Sequence, residues 1–180
     1  IRCPDALPMK SSIPNLLTSL RLAVSLVPLA FLAAAPSTAA NAALAVLVVA
    51  MVTDFLDGYL ARTWNVTSRL GQVLDSIADK LVLTSLLILA LFHGMLGVMG
   101  TAIALLLLLR EVWIGGLREG LGQQSSLLAA SKTAKWKTAL QFTGLAVVFA
   151  DVAFRFGLGA VSEFALAPAL VLSLVSAWHY

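Results

Sequence analysis

The chain has 180 residues, 60% of them hydrophobic and 12% charged, with a formal net charge of +3. Its mean hydropathy of +0.95 lies far above the range of a soluble domain. A single cysteine, Cys3, excludes an intrachain disulfide or a cysteine cluster, the separated His93 and His179 argue against a histidine metal site, and no nucleic-acid partner is expected.

At about 20 residues per span, the apolar sequence suffices for about six transmembrane helices. The expectation is an all-α integral membrane protein, a six-transmembrane-helix bundle forming one domain over residues 1–180. Lipid offers no partner for an open sheet edge, so helices are the natural solution. Residues 1–12 are polar and contain proline, lack the order of a signal peptide, and are expected at the membrane surface. The apolar runs then predict a first span over 13–35, with Pro28 as a kink, a turn at Pro36, Ser37 and Thr38, and a second span over 40–61. A polar connection, 62–69, leads to a third span over 71–92. Glycines between 94 and 100 mark a break before a fourth span over 101–117. A polar loop, 118–131, precedes a fifth span over 133–150. A turn over 151–159 leads to the last span, 161–178.

Basic residues alternate with the connections. Arg2, Lys10, Arg62, Arg69, Arg118, Lys132, Lys135 and Lys137 fall on one side, and Arg155 is the basic residue on the other. The positive-inside rule places both termini, and the 62–69 connection, in the cytoplasm.

Four of the nine acidic residues lie between Asp54 and Asp79. A carboxylate in or near a bilayer is expensive and usually marks a site. Four together repel one another unless cations hold them. Asp54, Asp57, Gly58, Ala61 and Arg62 share one broad helix face, and Gly71, Asp75 and Asp79 repeat every four residues on the next helix. The short connection makes these helices antiparallel neighbours, so the two stripes can face each other. Magnesium commonly combines a few carboxylates with substrate phosphates, and paired metals suit phosphoryl displacement. Gly58, Ala61 and Gly71 leave room for a ligand near the backbone, or allow close helix packing. Arg62 offers a planar donor set for phosphate. An intramembrane cation pathway uses such aspartates too, but it leaves Arg62 and the glycines unexplained.

Together these residues read D-x2-D-G-x2-A-R-x8-G-x3-D-x3-D, and this resembles the full signature of the CDP-alcohol phosphotransferases at all eight fixed positions. The resemblance extends to the opening Ile13-Pro14-Asn15-Leu16-Leu17-Thr18 with Arg21. It also covers Arg110-Glu111, Leu117-Arg118-Glu119, Lys135-Trp136-Lys137-Thr138 and Gln141, which look like the phosphatidylglycerophosphate-forming branch. It implies CDP-diacylglycerol and sn-glycerol 3-phosphate as substrates, with phosphatidylglycerophosphate and CMP as products. A homodimer, two Mg²⁺ or Mn²⁺ ions and an active site on the cytoplasmic face of the inner membrane are implied as well. By motif position, Asp54, Asp57, Asp75 and Asp79 would bind metal, and Asp79 would also be the general base. Gly58, Ala61, Arg62 and Gly71 would contact the CDP moiety.

Arg110, Arg118, Lys135 and Lys137 are the candidates for the acceptor phosphate. Arg110 and Arg118 stand about two helical turns apart, so one face can carry both; headgroup contact by snorkelling is the competing role for all four. Glu111 and Glu119 are placed to orient the neighbouring arginines. Asn15, Thr18 and Arg21 share a helix face and either touch the lipid-nucleotide phosphates or anchor the surface. The tryptophans at 64, 113, 136 and 178 fit an interfacial belt. A cardiolipin synthase of the same family, with phosphatidylglycerol as acceptor, is the nearest alternative.

Overall fold

The computed structural model describes residues 19–64, 69–121 and 132–178. Side chains at 57–62, 64, 69–73, 75–76, 117–121, 132–135 and 176–178 lie outside that description, so for these residues only the helical backbone is considered.

Among the described residues the framework is helical, and no strand occurs. Helix α1, Ser19–Ala30, turns at Ser25 and Leu26 and resumes as Val27–Ala30. Pro28 explains the interruption: it has no N–H to give to the preceding turn, and a short helix beginning beside it suits its fixed φ. Long helices follow: α2 (Pro36–Trp64), α3 (Arg69–Phe92), α4 (Val98–Leu121) and α5 (Lys132–Phe154). The last segment is divided into α6 (Ala160–Phe164) and α7 (Ala167–Trp178), with Pro168 in the first turn of α7.

Among the described residues, three helices contain stretches long and apolar enough to cross a membrane, Pro36–Leu56, Val98–Gly116 and Trp136–Phe154. In α3 the first half carries Arg69, Asp75, Asp79 and Lys80, which leaves a shorter apolar remainder. Ser19–Ala30 and Ala160–Val175 are apolar but shorter.

Several boundaries differ from the sequence expectation. Pro36, Ser37 and Thr38 open α2 rather than forming a turn, because proline at the first helical position gives up an N–H that has no partner there. The turn lies at 31–33 instead. Arg118 belongs to α4, which continues to Leu121. Asp151 lies within α5, and its Oδ1 accepts the Leu158 N–H at 2.9 Å, so the turn after α5 begins later than its polar residue suggests.

The core is built from small residues on α2 and larger aliphatics around it. Ala39, Ala43, Val46, Leu47 and Ala50 line one face of α2 at helical spacing and are buried. This face meets α5, whose Leu145, Val148 and Phe149 are fully buried. Leu86 and Leu89 of α3 and Leu107 of α4 complete the cluster. The other α2 face leaves Val48, Met51, Val52 and Phe55 exposed, as a lipid-facing surface would.

One glycine fixes the spacing of α5. A Cβ on Gly144 would lie 2.6 Å from the Ala165 carbonyl oxygen, a backbone atom that cannot swing away. Gly144 therefore lets α5 approach the junction between α6 and α7. At the same end as that junction's neighbouring loops, His93 Nε2 lies 3.2 Å from the Phe31 carbonyl and ties the exit of α3 to the exit of α1. Fourteen residues of helix separate Asp79 from His93, so about 21 Å of bundle divides the carboxylates from this end.

Candidate active site

Asp54 lies on α2 and Asp79 on α3, and the structure brings them to one cation. Arg21 of α1 donates through Nη1 to Asp79 Oδ1 at 3.0 Å, and the same nitrogen lies 3.4 Å from Asp54 Oδ1. The two carboxylate oxygens can be no farther apart than the sum of those distances. The Arg21 Nε also donates to Thr53 Oγ1 at 3.4 Å. Thr53 Oγ1 can accept because its own proton is directed back to the Val49 carbonyl, at 2.8 Å, or to that of Ala50, at 3.0 Å. Arg21 is 1% exposed, whereas the Asp79 and Asp54 side chains keep 34% and 58% of their surface. The cation is thus sealed beneath carboxylates that remain open from above.

Helix geometry extends the cluster. Asp57 follows Asp54 by three residues on α2, and Asp75 precedes Asp79 by four on the adjacent α3. Because the chain reverses between these helices, both lie about one turn farther toward the same end. Gly58, Ala61 and Arg62 continue the α2 stripe and Gly71 the α3 stripe, all with helical backbone. The side chains of Asp57, Gly58, Ala61, Arg62, Gly71 and Asp75 fall outside the described set. Among the described residues no three His, Cys, Asp or Glu side chains converge on one point. The described pair, Asp54 with Asp79, offers open, hard oxygen donors, and this donor chemistry fits a hard divalent cation.

A second polar group lies between α4 and α5. Glu111 Oε1 accepts from Arg110 Nη1 at 3.3 Å and from Lys137 Nζ. Arg110 and Lys137 are nearly buried, at 11% and 9% side-chain exposure, so their charges need this carboxylate. Gln141, one turn beyond Lys137, is buried at 3% exposure. Arg118 lies two turns from Arg110 on α4, and Lys135 lies in the first turn of α5. Their side chains are outside the described set. Lys80, next to Asp79, reaches toward α4: its Nζ would be 3.4 Å from a Cβ placed on Gly115.

The structure therefore brings Asp54 and Asp79 together, and brings Arg110 to Lys137 through Glu111. Sequence spacing put Asp54 and Asp79 on facing stripes, while Arg110 and Lys137 stood among the acceptor-phosphate candidates with Glu111 beside Arg110 to orient it. It did not identify Thr53, nor distinguish Arg21 from a surface anchor. The available signal for Arg21 was a charged residue inside an otherwise apolar segment. Asn15, Thr18 and Glu119 lie outside the described side chains. Trp113 and Trp136 are 72% and 67% exposed, in keeping with an interfacial position.

Comparison with known proteins gives this arrangement a relationship. A family model described as CDP-alcohol phosphatidyltransferase matches residues 11–175. A CDP-diacylglycerol–glycerol-3-phosphate 3-phosphatidyltransferase of Cereibacter sphaeroides is 46% identical over 143 residues, covering 78% of this chain and 64% of the relative. Proteins of the same name from Haemophilus influenzae and Rickettsia bellii are 37% and 36% identical. Those alignments each cover 76% of this chain, and 75% and 74% of the respective relatives. The chain spans less than two thirds of the Cereibacter relative's length.

Proposed function

The chain belongs to the CDP-alcohol phosphatidyltransferase family, and on that premise we propose that it transfers the phosphatidyl group of CDP-diacylglycerol to sn-glycerol 3-phosphate. The products are phosphatidylglycerophosphate and CMP. The observation that carries this reading is the meeting of Asp54 and Asp79, from separate helices, at one buried guanidinium within the complete eight-position signature. The names of the relatives support the choice of acceptor.

Asp54, Asp57, Asp75 and Asp79 would hold two divalent cations, Mg²⁺ or Mn²⁺, which when bound neutralise charge on the pyrophosphate and on the departing CMP. Asp79 takes the proton of the acceptor's primary hydroxyl as attack begins. That oxygen bonds to the β-phosphorus, and the bond from this phosphorus to the CMP oxygen breaks, so CMP leaves with the electron pair. A carboxylate is a weak base, so proton transfer is partial until the new bond is under way. Arg62, with Gly58, Ala61 and Gly71 leaving the backbone open, receives the CDP moiety. Arg110, Arg118, Lys135 and Lys137 receive the acceptor phosphate, Lys137 and Arg110 being held at their spacing by Glu111.

In this reading the protein forms six spans in the inner membrane, with both termini and the site on the cytoplasmic side, where a soluble acceptor has access. Exposed apolar faces such as Val48, Met51 and Phe55 then meet lipid or a second copy in a homodimer. The test is CMP release from labelled CDP-diacylglycerol by the purified protein with Mg²⁺ and a panel of acceptors. Release is expected with glycerol 3-phosphate and not with phosphatidylglycerol, inositol phosphate or serine. Release with phosphatidylglycerol alone would make the protein a cardiolipin synthase, and no release with any acceptor would remove the transferase reading.

A further inference from the structure

We propose that Arg21 is a built-in counter-ion of the carboxylate cluster, one that competes with divalent cations and keeps their affinity low until a substrate pyrophosphate arrives. This inference rests on the two-metal reading of the site. A guanidinium is charged at any accessible pH, and an enclosed one must be paired. Arg21 is 1% exposed and is paired with Asp79 at 3.0 Å and Asp54 at 3.4 Å, while Thr53 receives its Nε at 3.4 Å. It therefore joins α1, α2 and α3 at the residues expected to bind the ions.

Two consequences follow from that placement. Without ions, the guanidinium offsets the repulsion between Asp54 and Asp79 and holds the three helices together. With ions, the same positive charge lies one carboxylate away from a divalent cation, and the two repel. Arg21 thus stabilises the ion-free site more than the loaded one. A pyrophosphate brings negative charge that both the ions and Arg21 can share. Ion retention then becomes coupled to the presence of the nucleotide lipid, although Arg21 need not itself touch the lipid. Arg21 is in this sense a positioning residue, acting through Asp54 and Asp79.

The test is the affinity of the purified, chelator-stripped protein for Mn²⁺ alone, read from the electron paramagnetic resonance of free Mn²⁺, together with thermal midpoints with and without the ion. Arg21→Met and Arg21→Gln should lower the Kd for Mn²⁺ about tenfold, and should lower the ion-free midpoint more than the Mn²⁺-bound one. Arg21→Lys, which keeps the charge, should stay within about threefold of the original Kd. Gln retains hydrogen-bonding capacity and guards against a folding failure specific to Met. A residue that merely packs would lower both midpoints equally and leave the Kd unchanged. An unchanged or higher Kd in both neutral variants overturns the inference and leaves the two-metal reading intact. An absence of Mn²⁺ binding by the unsubstituted protein overturns that reading itself, and the inference with it.

Discussion

Carboxylates occur at both ends of the bundle, with different partners. Away from the candidate site, Glu163 Oε1 of α6 accepts the Met99 N–H at 3.0 Å, in the first turn of α4. Asp151 Oδ1 accepts the Leu158 N–H in the same manner at 2.9 Å. Both use backbone donors that would otherwise lack a partner, and Glu163 also suits the positive end of a helix. At the other end, Asp54 and Asp79 face the buried guanidinium of Arg21 and keep open surface. A carboxylate on a backbone amide finishes a helix. Carboxylates gathered on a fixed, enclosed charge, with open surface above, can still receive a cation from outside.

This contrast predicts unequal consequences of similar substitutions. The largest belongs to Asp79→Asn, which should reduce CMP release by about 10²–10⁴-fold through loss of the base alone, and further through loss of an ion ligand. Its helical circular dichroism should match the original. Near-normal turnover would remove Asp79 from the chemistry.

Removing an acceptor-phosphate cation should cost less. Arg118→Ala should raise the KM for glycerol 3-phosphate about 10–100-fold, the equivalent of one or two charge-assisted hydrogen bonds. The KM for CDP-diacylglycerol should change little. An unchanged acceptor KM with normal activity would assign Arg118 to lipid headgroups.

Packing substitutions away from the site should act on stability instead. Gly144→Ala places a Cβ against the Ala165 carbonyl, and overpacking of this kind costs about 1–3 kcal/mol. The thermal midpoint in detergent should fall by several degrees. An unaltered midpoint would mean that α5 and the α6–α7 junction are looser than their approach indicates. The smallest effect is expected from Glu163→Gln. Loss of the charge at the α4 N-terminus costs about 0.3–1 kcal/mol, or about 1–4 °C. Turnover at a permissive temperature should be unaffected, and a large loss would bring Glu163 into the functional half of the comparison.

Much of this was readable in the sequence because it is local. Asp54 and Asp57 on one helix, and Asp75 and Asp79 on the next, follow from spacing and a short connection. Arg21 is different. Its hydrogen-bond partners are 32 and 58 residues away, so no periodicity in its own helix announces them. The start of α4, at Val98, is hidden in the sequence for a related reason. Glycines between 94 and 100 look like a loop, but only Gly94, at φ +62°, needs the left-handed conformation of a turn. A Cβ on Gly100 would lie 2.9 Å from the Glu163 carbonyl oxygen, so this glycine serves a close helix contact within α4. Asp151 misled in the same way: it resembled a loop residue, yet it closes the end of α5 from inside the helix.

The most direct test of the account follows one oxygen. The purified protein would be given CDP-diacylglycerol, Mg²⁺ and sn-glycerol 3-phosphate carrying ¹⁸O in its primary hydroxyl. The predicted result is phosphatidylglycerophosphate with the label in its new phosphodiester, unlabelled CMP, and no product after chelation of the metal. Label in CMP, or CMP released without phosphatidylglycerophosphate, would contradict the account.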